Sequence, residues 1–388
     1  MLFFIISLKF LIQFTAIPQP EFEPQTIDAN ISIGYGLALG DVDGDGKPDI
    51  LLADKKQFVW YRNGDWKRFV MIENLTAHDN VCIAARDITG DGKVEVAVGA
   101  QWNPSETSDT AQSGSVHFLI RPDDPAQRWK AVELPHEPTI HRMRWIRSGG
   151  KYYLVVAPLH GRGNKDGSGE GVKVIAYEYP EDIYGQWRTF IIDDNMHLTH
   201  NFDFIESAQN GSAEIYLAGK EGIRVILNDL GKITESKAEI LPGIDSGAGE
   251  VRVGKLSQDK KFIAAIEPMH GHDAVIYVRD SSTKRIVIDD NLKEGHALAV
   301  ADLLGIGNDQ VLAGWRVPDK DGKVGIKLYV KKDAEGKQWE SYWVDENKMA
   351  CEDIQVMDLD GDSKPDIIAS GRATHNLKIY WNKSGQLK

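Results

Sequence analysis

The sequence predicts an all-β fold, a seven-bladed β-propeller of four-stranded antiparallel blades in a ring closed by an amino-terminal strand. Three observations carry this. Short apolar or alternating runs such as Ile50-Leu-Leu-Ala53, Val94-Glu-Val-Ala-Val98, Tyr153-Leu-Val-Val156 and Ile367-Ile-Ala369 are separated by Gly, Asp and Asn, with no long helical period competing. A signature of apolar residue, acidic residues and Asn recurs at Ile27-Asp-Ala-Asn30, Ile72-Glu-Asn74, Ile192-Asp-Asp-Asn195, Ile288-Asp-Asp-Asn291 and Val344-Asp-Glu-Asn347, as strand ends in register. Finally, the last unit, Met349 to Lys388, offers three strands (354–357, 366–370 and 377–381) and lacks the signature strand, whereas 25–30 matches that strand and precedes the first full unit.

From Asn30 to Asn347 the chain divides, with degraded ends near Leu134 and Leu241, into six intervals averaging about 53 residues, and a seventh unit follows. Moving the first strand to the last unit removes the free edges that would otherwise pair with another chain. A sandwich or jelly roll uses about eight or nine strands and does not repeat at a fixed period. Residues 1–20 are set apart from the 21–388 propeller. Their apolar run is interrupted by Lys9, falls short of the roughly 18 residues of a membrane span, and is expected to act as a signal peptide for a periplasmic or secreted protein.

The chain has 388 residues, of which 42% are hydrophobic, and a formal net charge of −13. An acidic surface repels phosphate backbones and anionic lipid heads, so no nucleic-acid and no membrane partner is expected, and cations or neutral ligands fit better. Cys82 and Cys351 cannot build a disulfide framework; Cys351 is expected to be a small buried hydrophobe.

Two turns place Asp at every second position. In Asp41-Val-Asp43-Gly-Asp45-Gly-Lys47-Pro-Asp49 the carboxylates of Asp41, Asp43, Asp45 and Asp49, with a carbonyl from position 7, can cage a hard cation such as Ca²⁺; Asp358, Asp360, Asp362 and Asp366 repeat the spacing. Weaker copies run from Asp87 to Glu95 and from Asp302 to Asp309. The same turns can also serve as plain hairpin connectors. They resemble the calcium-binding repeats of FG-GAP and VCBS propellers.

In a propeller the inner strand of each blade starts at one mouth of the channel, and the loop joining its second and third strands opens on the same face, so side chains that act together fall there. Inner-strand starts give His78, Asp79, His141, Arg142, His197, His200, Glu250, His296 and Glu352. The loops give Trp102, His160, Arg162, Lys220, His270, His272, Trp315, Arg316, Arg372 and His375. Nine of the eleven histidines lie in this pool, with His117 and His136 outside it. Imidazoles from several blades converging on a channel can hold a divalent transition metal such as Zn²⁺, and a further His can act as a base.

Four segments carry a closer resemblance: Thr139-Ile-His141-Arg-Met-Arg with Val155-Val-Ala-Pro158; Leu198-Thr-His200; Gly247-Ala-Gly-Glu250 with Glu267-Pro-Met-His270-Gly; and Gly295-His296-Ala-Leu with Ala301-Asp302. In this order, from about residue 75 to 310, they resemble the propeller of fungal aldos-2-ulose dehydratase. The resemblance implies a metal-dependent carbohydrate lyase or dehydratase acting on a keto-sugar of the 1,5-anhydrofructose or keto-glycoside type. It puts His141 in the place of the proton-abstracting base and His200, His270 and His296 in the place of the metal ligands. Arg142, Arg316 or Arg372 would stabilise oxyanion charge, Trp102 or Trp315 would stack on a sugar face, and His160, Glu250 and His272 would complete the sugar-binding wall. The chain stops after the seventh blade, where that enzyme continues into cupin domains, so elimination without a later isomerisation is expected. Two other readings stay open. One is a uronate polysaccharide lyase of the ulvan-lyase type, with Arg316 or Arg372 neutralising a carboxylate and Tyr35 as acid; the other is a non-catalytic sugar-binding or adhesion propeller.

Overall fold

The computed structural model describes residues 18–207, 211–228, 230, 237–242, 246–279 and 283–385; the expected signal peptide falls almost wholly outside them. The described residues form seven four-stranded antiparallel sheets and no helix. Blade 1 is β2 (Gly36–Gly40), β3 (Asp49–Ala53), β4 (Gln57–Tyr61) and β5 (Arg68–Glu73). Blades 2 to 6 repeat this order from inner strands β6 (Cys82–Arg86), β10 (Ile140–Ser148), β14 (Thr199–Glu206), β18 (Glu250–Lys255) and β22 (Gly295–Ala301). Blade 7 contributes β26 (Cys351–Met357), β27 (Asp366–Gly371) and β28 (Asn376–Asn382), and its outer strand is β1 (Phe22–Asp28), antiparallel to β28 from Phe22 opposite Asn382 onward. The expected ring closure is present. Pro24 sits in this outer strand, where a missing N–H interrupts no further ladder.

The core is not central but radial. Seven apolar clusters each join two consecutive blades, including one between blades 7 and 1 built from Leu37, Ile50, Val59 and Tyr61 against Ile368, Leu377 and Ile379. Each fully buried Leu, Ile or Phe contributes roughly 1.5–3 kcal/mol. Blades approach closely enough that a Cβ on Gly314 would meet Cys351 Sγ of the next blade at 2.7 Å. Both cysteines are buried and free, and burial pushes the Cys82 thiol up to about 12.

The recurring signature ends the outer strands, and its acid has a defined partner. In four blades the residue before the acid is a β-bulge, which breaks the ladder register, and in blade 1 the bulge falls at Met71, one residue earlier. Four of these acids then reach the third strand of the next blade. Asp28 accepts from Tyr61 Oη (2.8 Å), Asp193 from Arg224 Nε (2.6 Å), Asp289 from Tyr329 Oη and Lys327 Nζ (both 2.8 Å), and Asp345 from Tyr380 Oη (2.7 Å) and Lys378 Nζ (2.9 Å). The signature is a clasp between blades. Removing Asp345 strands the buried Lys378 charge, so Asp345→Ala is expected to cost about 3–5 kcal/mol in denaturant unfolding, while Lys332→Ala, an exposed partner of Glu340, is expected to cost under about 1 kcal/mol.

His117 on the third strand of blade 2 is buried with no partner for Nε2. Burial, opposed by the Glu133 carboxylate and reinforced by His136, holds its imidazole down to about 4 from 6.5. The folded pKa lies below the unfolded one, so stability is complete above about pH 6.5 and falls as the pH drops toward 4. The loss totals about 3 kcal/mol for a shift of this size. His117→Leu is expected to flatten that part of the stability–pH curve.

Candidate metal centre

Four histidines meet at the mouth of the channel where the inner strands begin. The backbone aims three of them: β10, β14 and β22 each carry a register shift at this point, spanning Ile140/Arg142, Thr199/Phe202 and Gly295/Ala297, and β26 has one spanning Cys351/Asp353. His141, His200, His296 and Glu352 are therefore the residues in the bulges. A bulge turns a side chain out of the alternating in–out pattern, here toward the axis. The fourth histidine, His270, comes from the loop after β19 (Lys261–Glu267) with φ +53°.

Each bulged imidazole is fastened to a neighbouring blade. Nδ1 of His141 is 2.7 Å from the His200 carbonyl oxygen, Nδ1 of His200 is 3.0 Å from that of Gly249, and Nδ1 of His296 is 2.6 Å from that of Glu352. A carbonyl only accepts, so these contacts assign the proton to Nδ1 and leave Nε2 as a bare lone pair in all three rings. His270 Nε2 lies 2.7 Å from His200 Nε2, and nitrogen atoms of His200, His270 and His296 fall within 4.8 Å of one another. The ring centroids of His141 and His200 are 4.7 Å apart.

Burial, then the Arg142 charge and His200, hold His141 well below the usual histidine range; burial, then Arg316, does the same for His296. His270 is pushed down to about 2 by burial, His200 and Arg316. Near pH 7 these rings are neutral donors, the form a metal requires. The converging nitrogens of His200, His270 and His296, with the Nδ1–H of His200 and His296 fixed on backbone carbonyls, suit zinc or a similar ion.

Behind His200 sits Glu250, 1% exposed. Its Oε1 is 3.2 Å from His200 Nδ1 and accepts no hydrogen bond among the described residues, while Oε2 accepts from Asn201 Nδ2 at 2.7 Å and faces Arg252 at 3.5 Å. Burial alone would raise this carboxyl; His200, Arg252 and Arg142 together hold it below the usual range. Glu250, expected to bind substrate, is buried with Oε2 held by Asn201 and Oε1 beside His200. The expectation for Trp315 is corrected. It is fully buried between blades 5 and 6 with Nε1 on the Lys323 carbonyl (2.9 Å), so it has no face to offer a sugar.

The other expected residues are distributed around the mouth. Trp102 lies 5.1 Å from His141, ring to ring. Arg142 gives NH1 to the Tyr35 carbonyl (3.3 Å) and leaves Nε without a partner. Arg316 and Arg372 both bind the buried Glu352, at 3.4 and 3.1 Å, and the Arg372 guanidinium lies 5.5 Å above the Tyr35 ring. Tyr35 Oη donates to Asp79 (3.3 Å), and burial followed by the Asp79 charge pushes the phenol up to about 12. His160 pairs with Thr139 through its backbone, with a buried Nδ1 that has no partner. The His272 side chain is 63% exposed beside Asp273, and His197 binds Glu221.

Deeper in the channel Arg142, Arg144 and Arg252 alternate with Glu250, Asp203 and Asp353; Arg144 bonds the Phe202 carbonyl and Asn201, and burial first of all holds it down to about 10. Below them lies a cavity of about 250 Å³ lined by side chains such as Leu39, Ala85, Trp145, Phe204, Val356 and Met357, with no histidine or carboxylate in its wall. Asn201 and Arg252 are the members of the site that sequence reasoning missed. Asn201 follows a candidate ligand directly, the one signal available.

On the opposite face, the Asp turns join first and second strands. Oxygens of Asp41, Asp43 and Asp45 lie within 4.8 Å of one another, as do those of Asp358, Asp360 and Asp366. Asp362 and Asp49 stand outside these groups: Asp362 accepts from Lys364 N, and Asp49 accepts from Val42 N and Asn63 N. Burial pushes Asp49 up to about 7.

Residues 113–280 match the family described as aldos-2-ulose dehydratase, beta-propeller domain, and residues 22–98 match the FG-GAP-like repeat. The first match contains His141, His200, Glu250 and His270, while His296 lies beyond it. No curated protein matches the chain. Among solved structures, a chain from the crystal structure of the mitotic checkpoint complex aligns at TM-score 0.57 and 9% identity over 98% of this chain and 97% of that one. BBS1N in complex with ARL6DN, soaked with mercury, aligns at 0.57 and 12% over 94% and 97%. At these identities the likeness is one of fold.

In purified protein, His200→Ala, His270→Ala and His296→Ala are each expected to lower affinity for Zn²⁺ by more than about 100-fold in a chelator-competition titration, since loss of a ligand exceeds the 10–100-fold cost of losing an outer partner. Asp358→Ala is expected to leave that affinity unchanged.

Proposed function

We propose that the chain is a metal-dependent carbon–oxygen lyase that eliminates water or an alcohol from a keto-sugar. The observation that carries this reading is the convergence of three imidazoles, His200, His270 and His296, beside a fourth, His141, whose outward nitrogen is a bare lone pair. The match of residues 113–280 to the dehydratase propeller supports it. A divalent ion held by His200, His270 and His296 would polarise a ketone oxygen and favour loss of the neighbouring C–H proton.

The chain's own residues supply the rest. His141 is neutral, so Nε2 can take the proton from the carbon beside the ketone, and its Nδ1–H bond to the His200 carbonyl strengthens as the ring becomes cationic. The electron pair of the broken C–H bond forms the new carbon–carbon double bond as the β-oxygen departs with its own pair. Tyr35, a phenol that keeps its proton and hydrogen-bonds Asp79, would be the acid that returns one to that oxygen. Arg142, the next residue after His141 and with an uncommitted Nε, would stabilise the negative charge that develops. Trp102 beside His141 offers an aromatic wall for a sugar face. Arg316 and Arg372 are already bound to Glu352, which favours a neutral keto-sugar over a uronate polymer needing a free guanidinium. The Asp turns are read as Ca²⁺ sites that stiffen the opposite face.

The test is elemental analysis followed by ultraviolet absorbance after mixing with 1,5-anhydrofructose, a 3-keto-glycoside and a uronate polymer, since elimination yields an absorbing conjugated product. A rise with a keto-sugar is expected, and a rise with the uronate polymer alone would overturn the substrate class. His141→Ala is expected to slow the reaction about 10²–10⁴-fold with bound transition metal unchanged. Loss of metal together with activity would make His141 a ligand instead.

A further inference from the structure

The three imidazoles that face the centre are not equivalent. His200 and His296 each give Nδ1–H to a backbone carbonyl, but only His200 also has a carboxylate at that nitrogen, Glu250 Oε1 at 3.2 Å. This oxygen is buried and accepts no hydrogen bond among the described residues, so the approach of His200 is an electrostatic contact beside the bond that Nδ1 makes to Gly249. A buried carboxylate oxygen left with one neighbour is costly unless that neighbour carries positive charge when it matters. An imidazole that donates its lone pair to a cation becomes such a neighbour, because its N–H grows more acidic and more positive.

The rest of the network holds the carboxylate in place rather than neutralising it by contact. Asn201 Nδ2 donates to Oε2 at 2.7 Å, Asn201 Oδ1 accepts from Arg144 NH2 at 3.1 Å, and Arg252 stands 3.5 Å from Oε2. Arg144 is tied in turn to the Phe202 carbonyl. The chain Arg144–Asn201–Glu250–His200 thus links three consecutive blades to one ring nitrogen.

We propose that Glu250 is the positioning residue of the metal centre: its carboxylate, clamped by Asn201 and directed at His200 Nδ1, makes His200 the strongest of the three donors. This rests on the reading of His200, His270 and His296 as a metal site. Outer carboxylates of this kind fix the tautomer and orientation of the ligand ring and raise its basicity, at 10–100-fold in affinity. Glu250→Gln removes the charge at nearly constant shape. Glu250→Asp keeps the charge but withdraws it by one methylene.

The test uses the full chain, stripped with chelator and titrated with Zn²⁺ against a chromophoric chelator and with Co²⁺ by visible absorbance. Glu250→Gln is expected to weaken Zn²⁺ binding about 10–100-fold and to shift the Co²⁺ bands, with Glu250→Asp intermediate. Should Glu250→Gln fail to fold, Glu250→Asp gives the reading by itself, weaker than wild type if the proposal holds. Wild-type affinity and an unchanged Co²⁺ spectrum in the folded variants would overturn the role of Glu250 alone. A metal-free melting temperature that falls while affinity holds would make Glu250 a purely structural group. A wild-type chain that binds neither ion would overturn the metal centre itself.

Discussion

An imidazole N–H given to the carbonyl of a neighbouring blade is the contact on which the channel mouth depends. It holds blades together at the narrow end of the ring, and it decides which nitrogen of each histidine is bare. His141 bonds to blade 4, His200 to blade 5 and His296 to blade 7, so the same three bonds that stitch the axis turn three lone pairs inward. The bulges make this possible, since a regular strand would keep these residues within the alternating pattern of its ladder. For His141 and His296 burial then removes the alternative of a protonated ring. Architecture and chemical state are settled together.

Much of the ring was legible in the sequence because its repeats are set by local rules. Strand-length runs, Asp and Gly turns and the signature at outer-strand ends give the blade count and the closing strand. What the signature acids do was not legible: their Tyr, Lys and Arg partners lie some thirty residues away on the next blade, and no periodicity marks such a pairing. The pool of channel residues was legible in outline, because strand starts and second loops share a face. Its internal division was not. Trp315 points into the wedge between blades, Glu250 lies behind a histidine, and His272 turns outward, and these differences come from single bulges and side-chain directions that residue type does not encode. Asn201 escaped for the same reason.

The two faces of the ring solve different problems with similar turns. The full Asp loops at 41–49 and 358–366 are closed by backbone bonds from Gly44, Gly46, Gly361 and Ser363 to the first carboxylate, and the degraded loop at Asp302 uses the same bonds from Ile306 and Gly307. There Gln310 takes the place of the ninth-position acid and accepts from Leu304 N. The turn therefore forms from hydrogen bonding alone, and the extra carboxylates are an addition to it. Asn63 and Asn382 carry each full loop to its neighbour: Asn63 Nδ2 binds the Leu359 carbonyl and Asn382 Nδ2 that of Leu303. Blades 1 and 7 thus each grip the blade before them at this rim as well.

The seam between β1 and β28 has a consequence for how the molecule comes into being. Blade 7 joins a strand made before blades 1 to 6 to three strands made after them, so during synthesis blades 1 to 6 can pair and stack while the ring stays open. Through that period β1 waits without its ladder, with Leu37, Ile50 and Tyr61 lacking the Ile368, Leu377 and Ile379 that later cover them. Release of the final strand closes the circle in a single docking event. The nascent chain is thus most vulnerable to wrong association just before β28 emerges, and a mostly exposed, charged and proline-bearing β1 limits what else can add to that open flank.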